Sequence, residues 1–342
     1  MAKSKTASPI SDRLNEAATN VVIPISDRPI SSLVDLTSNS LLHLELFYNF
    51  EHRTCQTVTQ TEEHAKIYRH VILHRAFKVA YLMQAILGLS ALQLSLEAPA
   101  RTTTYKEVAA VLQSQALQSF ERSGTLRDLN HSNVLDLLLF QHLVALHVFC
   151  DIFTNHEDGF GDFMDKLVGC VRLLRGLHSV TEPWWHVLSD SELGPVMCAA
   201  DTHHKSPHES RRECEPLMLM MENADLSTQS IEVCRSSIST LQSAFDAEND
   251  LDDEYINSTN MLFAWLVTAS PEYITLLQHR RPEALVILAH FAVLLFRRRR
   301  SWAVASAGRR LLQHIRGHLG DTWDKCLDWP IREIHDETMA VS

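Results

Sequence analysis

The stretch RPEALVILAHFAVLLFRRRR, residues 281–300, decides the fold class of this chain. Pro282 suits the first position of a helix, where its missing N–H breaks no hydrogen bond. From Ala284 to Phe296 every residue except His290 is apolar. This run is shorter than the roughly 20 residues that cross a bilayer, and a helix that is apolar all round is typical of a protein interior. The sequence therefore predicts a buried core helix.

A second helix is predicted directly after the arginines. Its apolar residues recur at helical spacing, and Gly320 is expected to end it. Asp321 can cap the next segment, which we predict to be only a short tryptophan-rich ending up to Pro330. The core-facing residues of this second helix are Val304, Leu311, Leu312 and Ile315.

The composition extends the helical prediction to the whole chain. Its 342 residues include only 10 Gly and 11 Pro, which argues against a loop-rich or many-stranded fold. We predict an all-α class, with a multi-helix domain of about ten helices over residues 37–335. Residues 1–36 are rich in Ser, Thr, Pro and Asn, and they repeat the sequence PISDR. Such a composition predicts a disordered tail.

Several local signals predict where the helices begin and end. Thr59 and Glu62 have the spacing of a capping box, which predicts a helix over 62–74. A long buried helix is predicted over 76–98, and Asn130 is expected to cap the next helix. The acidic run 246–254 is predicted to be a solvated linker. In the first helix, apolar residues share helical spacing: Leu42, Leu46, Phe47 or Tyr48, and Phe50.

The charge pattern weighs against nucleic-acid binding by this chain. The formal net charge is −11, whereas phosphate binding requires a basic surface. The local exception is the run Arg297, Arg298, Arg299 and Arg300. It is interpreted as a helix end stabilised by the helix dipole, as a nuclear-import patch, or as a nucleic-acid contact. No DNA-binding residue is predicted.

The cysteines and histidines predict neither a metal site nor a catalytic site. The seven cysteines contain no CxxC pair, and no secretory signal begins the chain, so free thiols in a reducing compartment are expected. His142 and His147 lie five residues apart rather than four, and Cys150 and Cys170 lie on apolar faces. One polar segment collects side chains that could bind a metal, a grouping we attribute to chance: Asp201, His203, His204, His208, Glu209 and Cys214.

The motifs of common enzymes are absent from this sequence. It contains no GxSxG, P-loop or GxGxxG motif. No cofactor is therefore expected, and the chain is predicted not to be an enzyme. No apolar run reaches transmembrane length, so no membrane association is expected.

A hydrophobic ligand is a separate hypothesis. Small residues such as Gly88 and Ser90 leave room for a cavity between apolar helices. We predict that such a pocket would be lined by Leu82, Ile86, Leu139, Leu143, Leu288 and Phe291.

Several segments together resemble the fungal-specific transcription-factor domain. They are HLELFYNFEHRTCQTVT (43–59), RHVILHRAFKVAYLMQAILGLSALQLSLEAP (69–99), and the closing segments RPEALVILAHFAVLL (281–295) and LDWPI (327–331). This family includes the C-terminal domains of sterol uptake control proteins and of many zinc-cluster regulators. The resemblance implies an all-helical regulatory module over about residues 41–331.

In that family the module usually follows a zinc cluster of six closely spaced cysteines, whereas the first cysteine of this chain is Cys55. The resemblance thus implies a transcriptional regulator without its own zinc cluster, acting with a zinc-cluster transcription factor or as a homodimer. The implied location is the nucleus, with the cytoplasm as the alternative, and control of a metabolite gene cluster is a plausible setting. The alternative function is a stand-alone module that binds a hydrophobic molecule such as a sterol.

Overall fold

The computed structural model describes residues 36–57, 61–154, 159–197, 212–249 and 260–335. Over these residues all regular secondary structure is helical, which confirms the all-α class. The predicted count of about ten helices was too low, since fourteen α-helices lie within the described residues. They are α1 (Leu36–His52), α2 (Glu62–Ala76), α3 (Ala80–Glu97), α4 (Thr102–Ser123), α5 (Val134–Thr154), α6 (Phe160–Thr181), α7 (Trp185–Ser189), α8 (Glu215–Glu222), α9 (Thr228–Asn249), α10 (Asn260–Thr268), α11 (Pro271–Gln278), α12 (Pro282–Arg297), α13 (Ala307–Leu319) and α14 (Asp324–His335).

The chain divides into two compact units. Of the described residues, the first unit comprises 36–56, 66–148 and 172–194, and the second comprises 57, 61–65, 149–154, 159–171, 195–197, 212–249 and 260–335. Helices α2, α5 and α6 therefore contribute residues to both units. A single domain over residues 37–335 remains a prediction, and the predicted tail falls almost wholly outside the described residues.

In the first unit, α3 is the central helix and packs against both α1 and α4. Gly88 lies where α3 meets α4, and a Cβ atom placed there would be 3.4 Å from Leu112 Cβ. The helix begins at Ala80, four residues later than predicted. Phe77 is consequently not part of the buried helix, and 70% of its surface is exposed.

Helix α5 corrects the expectation that no run reaches transmembrane length. By length and composition alone, Val134–Thr154 could cross a membrane, with 21 residues and a mean hydropathy of 1.7 over its most apolar stretch. However, 72% of that stretch is buried inside the protein. Core helices of globular proteins have the same composition, so this helix is weak evidence for a membrane span.

The second unit is built around α12. All residues from Glu283 to Phe296 are buried, which confirms the predicted core helix. Five helices of the same unit contact it: α8, α9, α11, α13 and α14. Because α12 packs against these five helices and its residues from Glu283 to Phe296 are all buried, its apolar side chains are removed from water.

Three local predictions were wrong, two in the second unit and one in the first. The segment after Gly320 is not a short ending, because α14 continues through Pro330 to His335. Helix α9 extends to Asn249, so the first part of the acidic run is helical. In the first unit, Asn130 caps a turn before α5, where its Oδ1 accepts from Ser132 N at 2.9 Å.

Candidate functional site

The six predicted pocket residues are all buried, and they belong to different units. Leu82, Ile86, Leu139 and Leu143 are in the first unit, and Leu288 and Phe291 are in the second. None is more than 1% exposed. Phe291 stacks on Trp265 with ring centroids 4.7 Å apart, as expected for core packing. A hydrophobic pocket formed by these residues stays a prediction.

A different set of residues forms an open depression in the first unit. Its volume is about 320 Å³, and none of the six predicted residues lines it. Asp136 on its wall accepts a hydrogen bond from Arg75 Nη1 at 2.7 Å, so this carboxylate is already paired. The lining is mixed in polarity and consists of Lys78, Val79, Ala80, Tyr81, Ser119, Ser123, Thr125, Asn133 and Asp136.

The four arginines after α12 have different environments. Arg298 is 1% exposed, and its Nε donates to Glu248 Oε2 at 3.0 Å. Arg297 Nη2 lies 3.5 Å from Glu333 Oε2. Arg299 Nη1 donates to the carbonyl oxygen of Phe296 at the helix end. Of these four arginines, only Arg300 is largely exposed to solvent. An import receptor would therefore find Arg300 and the partly exposed Arg297 and Arg299, but not Arg298.

The described cysteines are buried or half-buried and poorly suited to nucleophilic chemistry. Burial raises the pKa of the Cys170 thiol to about 12 and that of Cys234 to about 11. Cys150 also has a raised pKa, and its Sγ donates to the carbonyl of Ala303 at 3.2 Å. The thiolate is the reactive form of cysteine, so these groups behave as small apolar side chains near neutral pH.

Three histidines are held in their neutral form by burial. Burial lowers the pKa of His142, His147 and His290 to about 4. His290 is fully buried in α12, where Nδ1 donates to the carbonyl of Val286 at 3.0 Å and the ring stacks on Trp329. His290 therefore acts as part of the apolar core rather than as an exposed base.

We expect His290 to make the protein less stable in mild acid. The pKa of His290 is about 6.5 in the unfolded chain and about 4 in the folded protein. The free energy of unfolding therefore decreases as the pH falls below about 6.5. His290 alone should lower it by about 2 kcal/mol between pH 7 and pH 5. Replacement by Leu or Gln should remove that contribution equally, as measured by urea unfolding at both pH values. An unchanged pH dependence in both variants would contradict a neutral buried His290.

A buried polar network joins α1 and α3, and the sequence reasoning missed it. Asn49 Nδ2 donates to Ser90 Oγ at 3.0 Å and to Gln93 Oε1 at 3.3 Å. Thr54 Oγ1 donates to the same Gln93 oxygen at 2.6 Å. All four side chains are at most 5% exposed. The sequence contains a signal for this network, since the polar residues Ser90 and Gln93 lie three residues apart in a mostly apolar helix. Ser90 was interpreted only as a small residue.

Replacing Asn49 with Ala should destabilise the protein by about 2–3 kcal/mol, because it leaves the buried oxygen of Gln93 with fewer donors and opens a small cavity. Urea unfolding followed by circular dichroism measures the change. The control is the exposed Asn223, whose replacement by Ala should cost less than about 0.5 kcal/mol. Equal effects of the two substitutions would show that the network contributes little.

Within the described residues, no group of three or more His, Cys, Asp or Glu side chains is placed to hold a metal ion. The polar segment from Asp201 to Glu209 lies outside those residues. Cys214, at its end, is buried at 2% exposure, and its backbone N–H donates to Gln242 Oε1.

The described chain is thus an all-helical protein whose thiols and central histidines serve packing. It is 24% identical over 310 residues to a "Zn(2)-C6 fungal-type transcription factor" of Gibberella zeae. The alignment covers 85% of this chain and 61% of that protein, so the chain spans about three fifths of its relative's length. No family model matches the chain. The similarity supports a relationship to zinc-cluster transcription regulators, and this relative is a transcription factor rather than an enzyme.

Proposed function

We propose that this protein is the helical regulatory part of a fungal zinc-cluster transcription regulator and has no enzymatic activity. The observation that carries the proposal is the similarity over 85% of the chain to a transcription factor of that class. The all-helical fold agrees with the regulatory module that the family resemblance implies. The buried thiols and the neutral, buried histidines add support, since none of them is poised for catalysis near neutral pH.

DNA recognition would come from a zinc-cluster module outside residues 1–342, on the same polypeptide or on a partner protein. The chain itself is acidic, and its cysteines lack the close spacing of a zinc cluster. Its proposed place of action is the nucleus, and its proposed targets are the genes of a metabolite cluster.

A tethered reporter tests this proposal. The whole chain is fused to a bacterial DNA-binding domain, and transcript from a promoter with the matching operator is measured in a filamentous fungus. We expect a severalfold change relative to the DNA-binding domain alone, and transcripts that change when the native gene is deleted. A folded, nuclear fusion without effect, together with an unchanged transcriptome after deletion, would overturn the proposal.

Nuclear import through the arginine run can be separated from its structural role. Replacing Arg299 and Arg300 with Gln leaves the buried Arg298–Glu248 pair intact. If the run is an import signal, a fluorescent fusion of this double variant should spread into the cytoplasm while its melting temperature stays close to that of the wild type. A fusion that remains nuclear would show that import depends on another segment or on a partner.

A further inference from the structure

The open depression in the first unit, which we call the polar depression, has a wall of linked hydroxyl groups. The hydroxyl of Ser123 donates to the carbonyl oxygen of Phe120 at 2.6 Å and lies 2.7 Å from Thr125 Oγ1. The Thr125 side chain is in turn hydrogen-bonded to the hydroxyl of Tyr81. Because the proton of Ser123 is donated to Phe120, Thr125 must donate to Ser123, and Tyr81 must donate to Thr125. The protons of this chain are therefore engaged, whereas its oxygen atoms keep lone pairs that can accept hydrogen bonds.

Packing fixes the position of this wall. The Tyr81 ring packs edge-on against Phe120 and Phe140, with ring centroids 5.2 Å and 4.9 Å apart, and Tyr81 is only 5% exposed. Val79 and Ala80 add apolar surface to the lining. The volume of about 320 Å³ lies within the range of roughly 300–1,000 Å³ that is typical of small-molecule sites. The polar depression is thus preformed and large enough for a small metabolite.

Lys78 supplies a positive charge to the polar depression. Its Nζ donates to His74 Nε2 at 2.8 Å, which leaves two of the three ammonium protons for other acceptors. The carboxylate of Asp136, by contrast, is neutralised by Arg75, whose Nη1 lies 2.7 Å from Oδ1. The lining therefore favours a ligand with one negative charge, since a phosphate group carries more charge and more acceptors than a single lysine satisfies.

We infer that the polar depression binds a small carboxylic acid whose carbon chain carries hydroxyl or amino groups. The carboxylate accepts hydrogen bonds from Lys78, and the hydroxyl or amino groups donate to the oxygen atoms of Tyr81 and Thr125. A role of this acid as an effector rests on the proposed regulatory function, whereas its binding does not. Binding is measured on the purified chain, so failure of this inference and failure of the tethered reporter are separate results.

Three probes that share a six-carbon chain and a carboxylate test the chemical class: hexanoate, norleucine and gluconate. Hexanoate carries no donor on its chain, norleucine adds an amino group, and gluconate adds hydroxyl groups. In calorimetric titrations of the full chain, norleucine or gluconate should bind at least about tenfold more tightly than hexanoate, because only these two can donate to the wall. The tighter of the two identifies amino or hydroxy acids. Equal affinities of all three probes, or no binding at millimolar concentrations, would overturn the inference.

Two substitutions in the lining test the two halves of the ligand. Lys78→Met keeps the length of the side chain but removes its charge, and should weaken binding of the preferred probe about tenfold or more. Lys78 is exposed, so the circular dichroism and melting curve of this variant should match those of the wild type. Tyr81→Phe keeps the packed ring and should reduce the preference over hexanoate, because one acceptor is removed. A preference that survives Tyr81→Phe unchanged would overturn the proposed binding mode.

Lys106→Met is the matched control for the charge. Lys106 is also exposed and lies on α4, the helix that carries Ser123. The rise of an α-helix separates these two residues by about 25 Å, so this variant should bind the preferred probe like the wild type. Equal weakening by Lys78→Met and Lys106→Met would indicate a general attraction of anions to surface lysines, and the site would not exist.

Discussion

Replacing Gly308 with Ala should destabilise the protein by about 3 kcal/mol, although alanine is the better helix former by about 1 kcal/mol. Gly308 lies on α13 where that helix crosses α12. A Cβ atom on residue 308 would meet the carbonyl oxygen of Ala292 and would lie 2.7 Å from Phe296 N and 2.8 Å from Phe296 Cβ. Two of these are backbone atoms of the central helix, which cannot rotate away as a side chain would, so the helices must separate.

Gly317 on the same helix is the control for this prediction. Nothing lies within 4 Å of a Cβ atom built at Gly317, and the residue is exposed. Gly317→Ala should therefore stabilise the protein by about 0.5–1 kcal/mol through helix propensity alone. Urea unfolding of the two variants should show shifts of opposite sign. If Gly308→Ala were also stabilising, α12 and α13 could not pack as closely as described.

The central helix was predictable because its signal is local. From Ala284 to Phe296 the run is apolar on every side, and only burial on every side accommodates such a helix. The start of this helix was also predictable, since Pro282 fits its first turn and the acidic Glu283 follows directly. What the sequence does not contain is the identity of the five helices that surround it, because those contacts join segments far apart in the chain.

Helix α1 shows a second limit of sequence patterns. Its apolar residues satisfy the helical period on two faces, and the prediction grouped Phe47 or Tyr48 with Leu46 and Phe50. In the structure Leu46 and Phe50 are buried, whereas Tyr48 is mostly exposed. Asn49 lies on the buried side with Leu46 and Phe50, and it is hydrogen-bonded to Ser90 and Gln93 of α3. This side of α1 packs on α3, and Tyr48 faces outward. Periodicity alone cannot identify which face is bound by such tertiary contacts.

The end of the chain was mispredicted for a related reason. The sequence predicted a short tryptophan-rich ending up to Pro330, and proline removes a backbone donor from a helix interior. In α14, Pro330 and its neighbours Leu327 and Ile334 are buried. Packing of α14 against α12 and α13 outweighs the lost hydrogen bond. The hydrophobic pocket and the import patch remain predictions.

Replacing Glu248 with Ala should destabilise the protein by about 3–5 kcal/mol, which is the usual cost of breaking a buried ion pair by removing one partner. Arg298 is 1% exposed, and Nε and Nη2 both donate to Glu248 Oε2. Without the carboxylate, the guanidinium keeps its charge in a place that water scarcely reaches. The control pair, Asp328 and Arg332 on α14, is 62% exposed on both sides, and Asp328→Ala should cost less than about 0.5 kcal/mol.

A double-mutant cycle decides whether this ion pair stabilises the fold or only avoids a penalty. If Arg298→Met is combined with Glu248→Ala, neither charge of this pair remains, and we expect the double variant to be more stable than Glu248→Ala alone. Such a gain in stability would indicate that Arg298 is buried at the end of this core helix because it neutralises Glu248. The other arginines of the run lie toward solvent at the helix end, where the dipole favours cations. Additive losses in the cycle would instead show that Arg298 and Glu248 act independently, and would assign the burial of Arg298 to its alkyl packing.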